Sequence, residues 1–427
     1  MSQTINRIRG TVDLYGQELD AFRNLEQKLL NLANIYGYNQ IKTPVFEHYE
    51  LFNRSSGETS DLVSKEMYVF QDKGERWIAL RPEGTAPALR AVIENKLLFQ
   101  NVLPLKIAYF EPCFRYERPQ SGRQRQFHQF GVELLGSNSI YTDFEIISFA
   151  NQILKDLKIN KYRLEINYIS TPKKRATWIN ALQKYFANYL NELEPVSRER
   201  LNINPLRILD DKIESKKDFV QNAPKIDSFW DEDEKKEFAF LCSLLDAKNI
   251  KYDINLNLVR GLDYYTGVVF EFISTSDLLV GQSTVIGGGR YMKLLSELNG
   301  PDYNGIGFGC GVERILIALK DVEQQNEPTY LSDYLIGYTD SSFAECAHLL
   351  ASSFRASHLK TDVLYEVSKF DKIFKRAKKT KPKQIIIFAE KEWQNNHNVI
   401  VVNEADQTQQ IKNFEELLNQ GANNENK

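Results

Sequence analysis

Cysteine and histidine are scarce in this sequence, and neither is spaced for metal binding. The four cysteines lie far apart without a CxxC pair, and the five histidines show no metal-ligand spacing. We therefore expect no structural zinc and a reducing compartment.

Long apolar runs are also absent. The N-terminus carries no apolar signal region, and no run approaches the length of a membrane span. We expect a cytoplasmic protein with no membrane partner. The formal net charge of −3 is close to neutral, so any contact with nucleic acid would depend on local basic patches.

The 427 residues exceed what one hydrophobic core usually serves, and they predict two or three domains. Residues 171–252 contain no glycine and read as charged helices. Strand patterns return at 252–258 and 266–272, which favours a helical insertion within one sheet domain over an ordinary domain boundary. The predicted division is 1–170 with 253–326, the insertion at 171–252, a third domain at 330–420 and a disordered tail at 421–427.

The C-terminal third alternates strands with helices. The predicted strands are 334–338, 362–365, 385–389 and 399–402, and the predicted helices are 343–357, 370–379 and 411–418. This order is typical of a small α/β domain.

The N-terminal part predicts a helix at 19–36, a strand at 40–47 and a two-strand unit at 67–80. Pro44 cannot donate to a ladder, which places its strand at an edge or a subunit boundary. In the segment LRPEGTA that follows, Thr85 is positioned to cap a helix and to hold Glu83 at the corner before it. Alternatively, Glu83 complements the helix dipole from the first turn.

The segment FRYERPQSGRQRQFHQFGVE (114–133) predicts a hairpin with a basic loop at 118–126. Phe127, Gln129, Gly131 and Glu133 fall on one face of its second strand, and Gly131 leaves a bare patch there. Such a strip can hold a small polar molecule beside a polyanion. A solvated amphipathic hairpin is an equally good interpretation of the segment alone.

Glycine occupies every second position from 305 to 311, in the segment GIGFGCGVER. On a strand this exposes backbone against which a flat ring can lie, although close packing of helix on sheet favours glycine too. Arg314 then falls in the first turns of a helix. The phosphate-binding GxxxxGK[ST] loop is absent, as is the dinucleotide fingerprint.

Arginines beside tyrosines recur in LVRGLDYY (258–265) and GGGRY (287–291). Arg260, Arg115 and Arg314 would repel one another if they met without an anion. Their grouping therefore indicates a polyphosphate site.

Residues 369–383 contain eight Lys or Arg. Phe370, Ile373, Phe374 and Ala377 form an apolar stripe at helical spacing. The basic residues largely off this stripe are Lys372, Lys375, Arg376 and Lys379. The outer face is either a solvated surface or an RNA contact.

These segments together resemble the histidyl-tRNA synthetase family of class II aminoacyl-tRNA synthetases over nearly the whole chain. The motifs are LRPEGTA, FRYERPQSGRQRQFHQFGVE, NPLRILDDK, LVRGLDYYTG, GGGRY and GFGCGVER. The resemblance implies an α+β catalytic domain with an antiparallel six-stranded sheet, a helical insertion and a C-terminal α/β anticodon-binding domain. It also implies a homodimer formed partly through the Pro44 region.

The resemblance implies ATP-dependent activation of histidine and its transfer to tRNA(His), with Arg260 and Arg115 as catalytic residues. The implied ATP-binding residues are Arg115, Glu117, Arg123, Phe127 and Arg314. The implied histidine-binding residues are Glu83, Thr85, Gln129, Gly131, Glu133, Arg260, Tyr264, Tyr265 and Tyr291. Mg²⁺ would be held mainly by ATP and water, and the C-terminal basic residues would contact tRNA.

One departure bears on the site, because the family usually has aspartate after GGGRY, where this chain has Met292. The resemblance also extends to a paralogue, the histidine-sensing regulatory subunit of ATP phosphoribosyltransferase, which typically lacks the C-terminal domain and parts of the ATP site. The arginines and the full C-terminal domain favour the enzyme. An RNA-binding protein with a degenerate nucleotide fold would explain the basic helix but not the histidine-type pocket.

Overall fold

The computed structural model of the protein describes residues 4–56, 62–209, 211, 213–260, 264–280, 283–322 and 331–423, with the backbone alone at 420–423. The chain divides into two compact units, Met1–Gln324 and Gln325–Lys427. Among the helices within the described ranges, none combines the length and the apolar character needed to cross a bilayer.

The strands of the first unit are β1 (Asn39–Gln40), β2 (Phe46–His48), β3 (Val69–Gln71), β4 (Trp77–Leu80), β5 (Leu105–Phe114), β6 (Gln126–Leu135), β7 (Tyr162–Tyr168), β8 (Asp253–Ile254), β9 (Val268–Ser274), β10 (Thr284–Tyr291) and β11 (Gly305–Gly311). Its α-helices are α1 (Gly16–Ile35), α2 (Tyr49–Ser56), α3 (Thr85–Glu94), α4 (Leu97–Gln100), α5 (Ile140–Asp156), α6 (Pro172–Phe186), α7 (Pro195–Ile203), α8 (Leu206–Leu209), α9 (Asp218–Gln221), α10 (Glu232–Ala247), α11 (Leu294–Glu297) and α12 (Val312–Leu319).

The main sheet of the first unit has eight strands in the order β1-β5-β6-β11-β10-β9-β7-β8. Every neighbouring pair from β5 to β7 is antiparallel, whereas the short edge strands β1 and β8 pair in parallel. The antiparallel six-stranded sheet is therefore confirmed, and a short parallel strand extends it at each edge.

Helix α1 covers one face of this sheet because its apolar residues form a single stripe. The buried residues of the stripe are Phe22, Leu25, Leu29, Leu32 and Ala33. They join the main hydrophobic cluster together with residues of α5, β6 and β11. Gly37 follows the helix with φ +80°, a conformation that glycine adopts without a Cβ penalty, and the helix ends there as predicted.

The residues between 171 and 252 divide between two hydrophobic clusters. Trp178, Leu182 and Ile226 belong to a separate cluster formed largely by α6 to α9. Phe238 and Leu241 of α10 instead join the main cluster against the sheet. We propose that a compact insertion ends before α10. The domain boundaries expected from the sequence, 171 and 252, stay a prediction.

The strand predicted at 40–47 is wrong. The segment forms β1 in the main sheet and β2 in a separate three-stranded sheet of order β2-β4-β3. Pro44 lies between them and has no N–H to donate. Side chains hold its neighbour Thr43 instead: the N–H of Thr43 donates to the Glu111 carboxylate at 3.1 Å, and its carbonyl accepts from Arg81 at 3.0 Å.

The basic hairpin is confirmed, with a loop that begins earlier than predicted. Strand β5 ends at Phe114, so Arg115 and Glu117 both lie in the loop. The N–H of Arg115 still donates to the carbonyl of Arg125 at 2.9 Å, which closes the base of the loop. The next N–H, that of Tyr116, donates to the carbonyl of Glu66 at 2.6 Å, and the two strands separate there.

The second unit contains β12 (Ser332–Tyr338), β13 (Thr361–Val363), β14 (Pro382–Phe388), β15 (Asn398–Asn403) and β16 (Gln409–Asn413), with α13 (Ala344–Ala356), α14 (Phe370–Thr380), α15 (Glu390–Trp393) and α16 (Phe414–Asn423). Its sheet has the order β13-β12-β14-β15-β16. Helices α13 and α16 pack on one face and α14 on the other, which confirms the C-terminal α/β fold.

The helix predicted at 411–418 is wrong in its first part. Ile411 lies on β16, which pairs antiparallel with β15. Helix α16 begins at Phe414, where the side-chain oxygen of Asn413 accepts from the N–H of Glu415 at 2.9 Å. The helix continues to Asn423, and residues 424–427 of the predicted tail lie outside the described residues.

Candidate functional site

One cavity in the first unit gathers residues from most of the predicted motifs. The predicted residues that line it are Glu83, Thr85, Arg115, Glu117, Arg123, Phe127, Gln129, Arg260, Tyr264, Tyr265 and Arg314. They come from the start of α3, the hairpin loop, β6, the segment before β9 and the start of α12. The predicted residues Gly131, Glu133 and Tyr291 are not part of this lining.

Glu83, and not Thr85, caps helix α3. Thr85 is the first helical residue, and the Glu83 carboxylate accepts the N–H of Thr85 at 2.7 Å and that of Ala86 at 2.8 Å. The predicted Thr85 cap is therefore wrong. Glu83 lies at the corner before the helix, as predicted, and not in its first turn, and its carboxylate meets the positive end of the helix dipole from there. Burial raises the pKa of Glu83, while these N–H bonds and the charge of Arg115 oppose the rise.

Two tyrosines hold the buried carboxyl group of Glu133. Tyr291 donates to its Oε2 at 2.7 Å, and Tyr109 donates to its Oε1 at 3.2 Å. Burial raises the pKa of Glu133 to about 8; the hydrogen bonds of Tyr291, Thr85 and Tyr109 oppose this rise and the charge of Glu83 adds to it. The burial of Glu133 therefore favours its protonated form.

Gly131 lies beneath the ring of Tyr109. The two residues are opposite each other in the ladder of β5 and β6. A Cβ added at Gly131, or at Gly84, would collide with that ring. Gly131 is therefore covered by Tyr109, whereas the sequence predicted a bare patch open to a ligand.

The alternating glycines of β11 make room for side chains from β6. A Cβ at Gly307 would collide with the Glu133 carboxylate, and one at Gly309 would collide with the amide of Gln129. These two side chains therefore cover part of the face that the sequence predicted to be bare. The Gln129 oxygen in turn accepts from the N–H of Gly84 at 3.1 Å, which links β6 to the corner before α3.

Arg314 projects from the first turn of α12, as predicted. Its Nε donates to the Gly122 carbonyl at 3.0 Å and its Nη1 to the Thr284 carbonyl at 2.7 Å. Burial, with the nearby positive charges of Arg115 and Arg123, lowers the pKa of Arg314 to about 10. An anion bound here would relieve the repulsion among these cations.

The hairpin loop places Arg115 against the aromatic ring of Phe127. The guanidinium carbon lies 5.1 Å from the ring centroid, and the Nε donates to the Pro82 carbonyl at 2.9 Å. Glu117 forms an ion pair with Arg123 across the same loop. The hairpin therefore places an aromatic ring at the start of β6 beside the guanidinium of Arg115, with the guanidinium of Arg123 on the same loop.

Arg260 is held by a carboxylate that the sequence analysis missed. Glu271 of β9 forms an ion pair with Arg260 and also accepts from the Thr284 hydroxyl at 2.8 Å. The Nε of Arg260 is buried and has no hydrogen-bond partner among the described residues. Residues 261–263 of the same motif lie outside the described residues.

Three tyrosine rings pack against one another next to Arg260. The ring centroids of Tyr264 and Tyr265 are 4.5 Å apart, and those of Tyr264 and Tyr291 are 5.8 Å apart. Burial raises the pKa of all three hydroxyls, so they stay protonated and able to donate at neutral pH.

Only some of the residues that sequence reasoning missed carried recognisable signals. Tyr109 lies opposite Gly131 because the loop begins at Arg115, whereas the predicted loop at 118–126 would have placed Cys113 there. Glu271 is the charged residue within the otherwise apolar strand VVFEFIS. Glu313 also lines the cavity and stands beside Arg314 in a motif that was singled out.

The basic helix predicted in the second unit is α14, with a narrower apolar stripe than expected. Ile373 and Ala377 are buried, and Phe374 is partly buried against the same cluster. Phe370 is 40% exposed, because it is the first residue of the helix and lies beyond the sheet contact.

The basic residues of α14 line a surface cleft. The basic cleft consists of Lys372, Lys375, Arg376, Lys379 and Tyr365 with their neighbours from 363–368. Tyr365 is 77% exposed. Arg376 pairs with Asp362 at 3.1 Å and Lys372 with Glu366 at 3.7 Å, which leaves the charge of the cleft net positive.

Comparison with known proteins gives consistent results. The family model for histidyl-tRNA synthetase matches residues 10–315. The histidine–tRNA ligase of Ureaplasma urealyticum serovar 10 is 57% identical over 393 residues, which cover 92% of this chain and 93% of that protein. The apo S. aureus histidyl-tRNA synthetase matches with a TM-score of 0.80 and 32% identity, over 98% of this chain and 99% of its own.

A more distant structure shares the fold alone. The protein from Bacillus halodurans described as an ATP phosphoribosyltransferase regulatory subunit/histidyl-tRNA synthetase has a TM-score of 0.65 and 21% identity, over 91% of this chain and 99% of its own. The family model and the two nearer relatives, each matching most of the chain, decide the assignment: this chain belongs to the histidyl-tRNA synthetase family.

Proposed function

We propose that the protein activates histidine with ATP to form histidyl-adenylate and then transfers the histidyl group to the 3′ end of tRNA(His). The observation that carries the proposal is a single cavity in which Arg115, Arg260 and Arg314 meet the capping carboxylate of Glu83. Three cations suit a polyphosphate, and a carboxylate suits the ammonium group of an amino acid.

The ATP side comprises the hairpin loop and the start of α12. Phe127 offers its ring face to the adenine of ATP. Arg115 lies close to that ring and binds the α-phosphate, and Arg314 binds the γ-phosphate. Glu117 and Arg123 flank the nucleotide. Mg²⁺, held mainly by phosphate oxygens and water, would neutralise phosphate charge when bound.

The histidine side lies deeper. Glu83, Thr85 and Gln129 receive the α-amino group at the start of α3. The imidazole lies between Glu133 and Tyr265, because a carboxyl group and a phenol can satisfy its one donor and one acceptor. Tyr264 lines this pocket, and Tyr291, which lies behind the cavity lining, supports it through its hydrogen bond to Glu133. Gly131 contributes to the pocket through Tyr109.

Arg260 acts between the two sides. An oxygen of the histidine carboxylate attacks the α-phosphorus; a P–O bond forms as the bond to the bridging β-phosphate oxygen breaks, and pyrophosphate leaves. The Nε of Arg260 is buried without a hydrogen-bond partner in the part of the chain that the structure describes, which supports a contact with the charge that develops there. Glu271 holds the guanidinium in place. A 3′-terminal ribose hydroxyl of tRNA then attacks the carbonyl carbon, and AMP leaves.

The basic cleft of the second unit is proposed to contact tRNA. Lys372, Lys375, Arg376 and Lys379 supply charge for backbone phosphates. The exposed ring of Tyr365 is the kind of side chain on which unpaired bases stack.

We also propose a homodimer. The three-stranded sheet next to Pro44 exposes Phe46 (58%) and Phe70 (45%) on the same face, an apolar surface suited to a second copy of the chain. In sedimentation experiments the wild-type protein should be dimeric, and Phe70→Glu should shift it towards the monomer.

The regulatory-subunit alternative is less well supported. Its relative shares only the fold at 21% identity. A histidine-sensing subunit needs no phosphate-binding arginines, whereas Arg115, Arg260 and Arg314 line one cavity here.

The proposal is tested by histidine-dependent exchange of pyrophosphate into ATP. The wild-type protein should catalyse the exchange, and Arg260→Ala should lower its rate by at least about a hundredfold. Arg163→Ala, a variant of a half-exposed surface arginine on β7, should match the wild type. No exchange by the pure wild-type protein with Mg²⁺ would contradict the proposal, and full activity of Arg260→Ala would remove that residue from its role.

A further inference from the structure

The strand that carries Phe127 and Gln129 is tied to the helix that carries Arg314 by two side chains, His128 and Glu313, of which Glu313 also lines the cavity. His128 lies between Phe127 and Gln129, and because side chains alternate along a strand its imidazole points away from the cavity face. There its Nδ1 lies 3.0 Å from Oε1 of Glu313, the residue before Arg314.

The end of β11 explains why a side chain is needed at this point. Strand β11 pairs with β6 as far as Gly311, opposite Gln129, and the chain then turns into α12. The ladder therefore offers no carbonyl to the N–H of His128. Both carboxylate oxygens of Glu313 lie 3.0 Å from that nitrogen, so one carboxylate binds the backbone and the ring of the same residue.

Aromatic rings fix the imidazole in this position. The ring of Phe22 from α1 meets it edge-on at 4.7 Å, and that of Phe110 from β5 lies at 6.0 Å. The side chains of His128 and Glu313 are only 23% and 17% exposed. The contact is thus built into the packing between α1, the sheet and α12.

We propose that His128 and Glu313 are positioning residues that set the distance between the adenine-binding face of Phe127 and the guanidinium of Arg314. The inference rests on the ATP site proposed above. Glu313 fixes the first turn of α12 to β6 from one side, and the carbonyls of Gly122 and Thr284 hold Arg314 from the other. Without the pair, the adenine and γ-phosphate contacts lose their fixed spacing.

The histidine side does not depend on this pair. Gln129 remains in the ladder on both sides, opposite Gly311 of β11 and Glu111 of β5. Loss of the pair is therefore expected to weaken ATP binding selectively, whereas a general loss of structure would weaken both ligands.

Equilibrium calorimetry with MgATP and with histidine separates these outcomes without relying on activity. Glu313→Ala should weaken MgATP binding by about tenfold and leave histidine binding within about twofold of the wild type. Glu313→Gln keeps a carbonyl oxygen for the N–H of His128 and should recover most of the affinity. Glu199→Ala, a variant of an exposed glutamate on α7, is the matched control and should have no effect.

His128→Ala provides a second test, since it removes the ring and keeps the backbone contact. It should weaken MgATP binding by about threefold, and the double variant should be no weaker than Glu313→Ala. If Glu313→Ala does not fold, the His128→Ala result decides alone.

Unchanged MgATP affinity, equal weakening of both ligands, or a wild-type protein that binds no MgATP would overturn the inference. Failure of the proposed function is a separate result, namely a wild-type protein that binds MgATP normally but catalyses no histidine-dependent exchange.

Discussion

The hydroxyl of Tyr109 donates to the carboxyl group of Glu133 at 3.2 Å, and the ring of the same tyrosine covers Gly131. A side chain at position 131 must therefore displace the ring that holds Glu133. This relationship connects a backbone position in β6 with the proposed imidazole pocket, and it replaces the direct contact that the sequence predicted for Gly131.

Gly131→Val should abolish histidine activation without unfolding the protein. The added methyl groups push Tyr109 away from Glu133, at a cost to stability of about 1–3 kcal/mol from overpacking. Pyrophosphate exchange and thermal melting measure the two effects. Tyr109→Phe, which keeps the ring and removes the hydroxyl, should raise the KM for histidine by about fivefold. Normal activation kinetics in Gly131→Val would refute this placement.

The raised pKa of Glu133 predicts a pH-dependent stability difference. With a pKa raised from 4.5 to about 8, the folded protein binds the proton more tightly than the unfolded chain, so this group costs stability progressively as pH rises from about 5 to about 8. Glu133→Gln does not titrate. The melting temperature of Glu133→Gln minus that of the wild type should therefore increase from pH 5 to pH 8. The variant should also lose histidine-dependent exchange. A constant difference from pH 5 to pH 9 would contradict the burial effect.

Arg290 is oriented by Asp143 of α5, and this contact does not involve Met292, the residue that replaces the family's usual aspartate. Its Nε donates to the Asp143 carboxylate at 3.0 Å, and its two terminal nitrogens bind the carbonyls of Ser137 and Ser139. Asp143→Asn should lower the free energy of unfolding by about 3–5 kcal/mol, because a buried guanidinium loses its counter-ion. Met292→Asp should leave kcat/KM within about twofold. Denaturant titration measures the first effect, and exchange kinetics measure the second. An unchanged stability of Asp143→Asn together with a large change in kcat/KM for Met292→Asp would show that position 292 governs Arg290.

The basic cleft predicts a specific loss of tRNA binding. Combined replacement of Lys375, Arg376 and Lys379 by alanine should raise the KM for tRNA and flatten the salt dependence of binding, by about 0.9 in slope for each lost phosphate contact. Pyrophosphate exchange should be unchanged. Lys391→Ala, a variant of an exposed lysine on α15, serves as the control. Unchanged tRNA binding in the triple variant would identify α14 as an ordinary solvated surface.

Periodicity and turn chemistry predicted much of the fold. The apolar stripe of α1, the basic hairpin and the glycine strand β11 each follow from spacing that the structure reproduces. The failures have local causes. The backbone N–H of Thr43 binds a distant side chain, and the side chain of Glu83 binds neighbouring backbone N–H groups. A strand pattern or a cap pattern cannot predict which oxygen accepts a given N–H.

The sequence predicted which residues form the candidate site better than it predicted the contacts among them. Motif spacing and family resemblance brought Arg115, Arg260 and Arg314 to one cavity. Contacts between strands were not predictable from either one, since Tyr109 reaches Glu133 and Glu271 reaches Arg260 only once the register of the sheet is known.

The central claim is tested most directly by charging tRNA with labelled amino acid. Purified protein, MgATP, tRNA(His) and labelled histidine should give histidyl-tRNA in the acid-precipitable fraction, with AMP and pyrophosphate released, while Arg260→Ala gives little product. Absence of histidyl-tRNA under these conditions, with a folded protein that still binds histidine, would contradict the synthetase assignment and favour a histidine-sensing role.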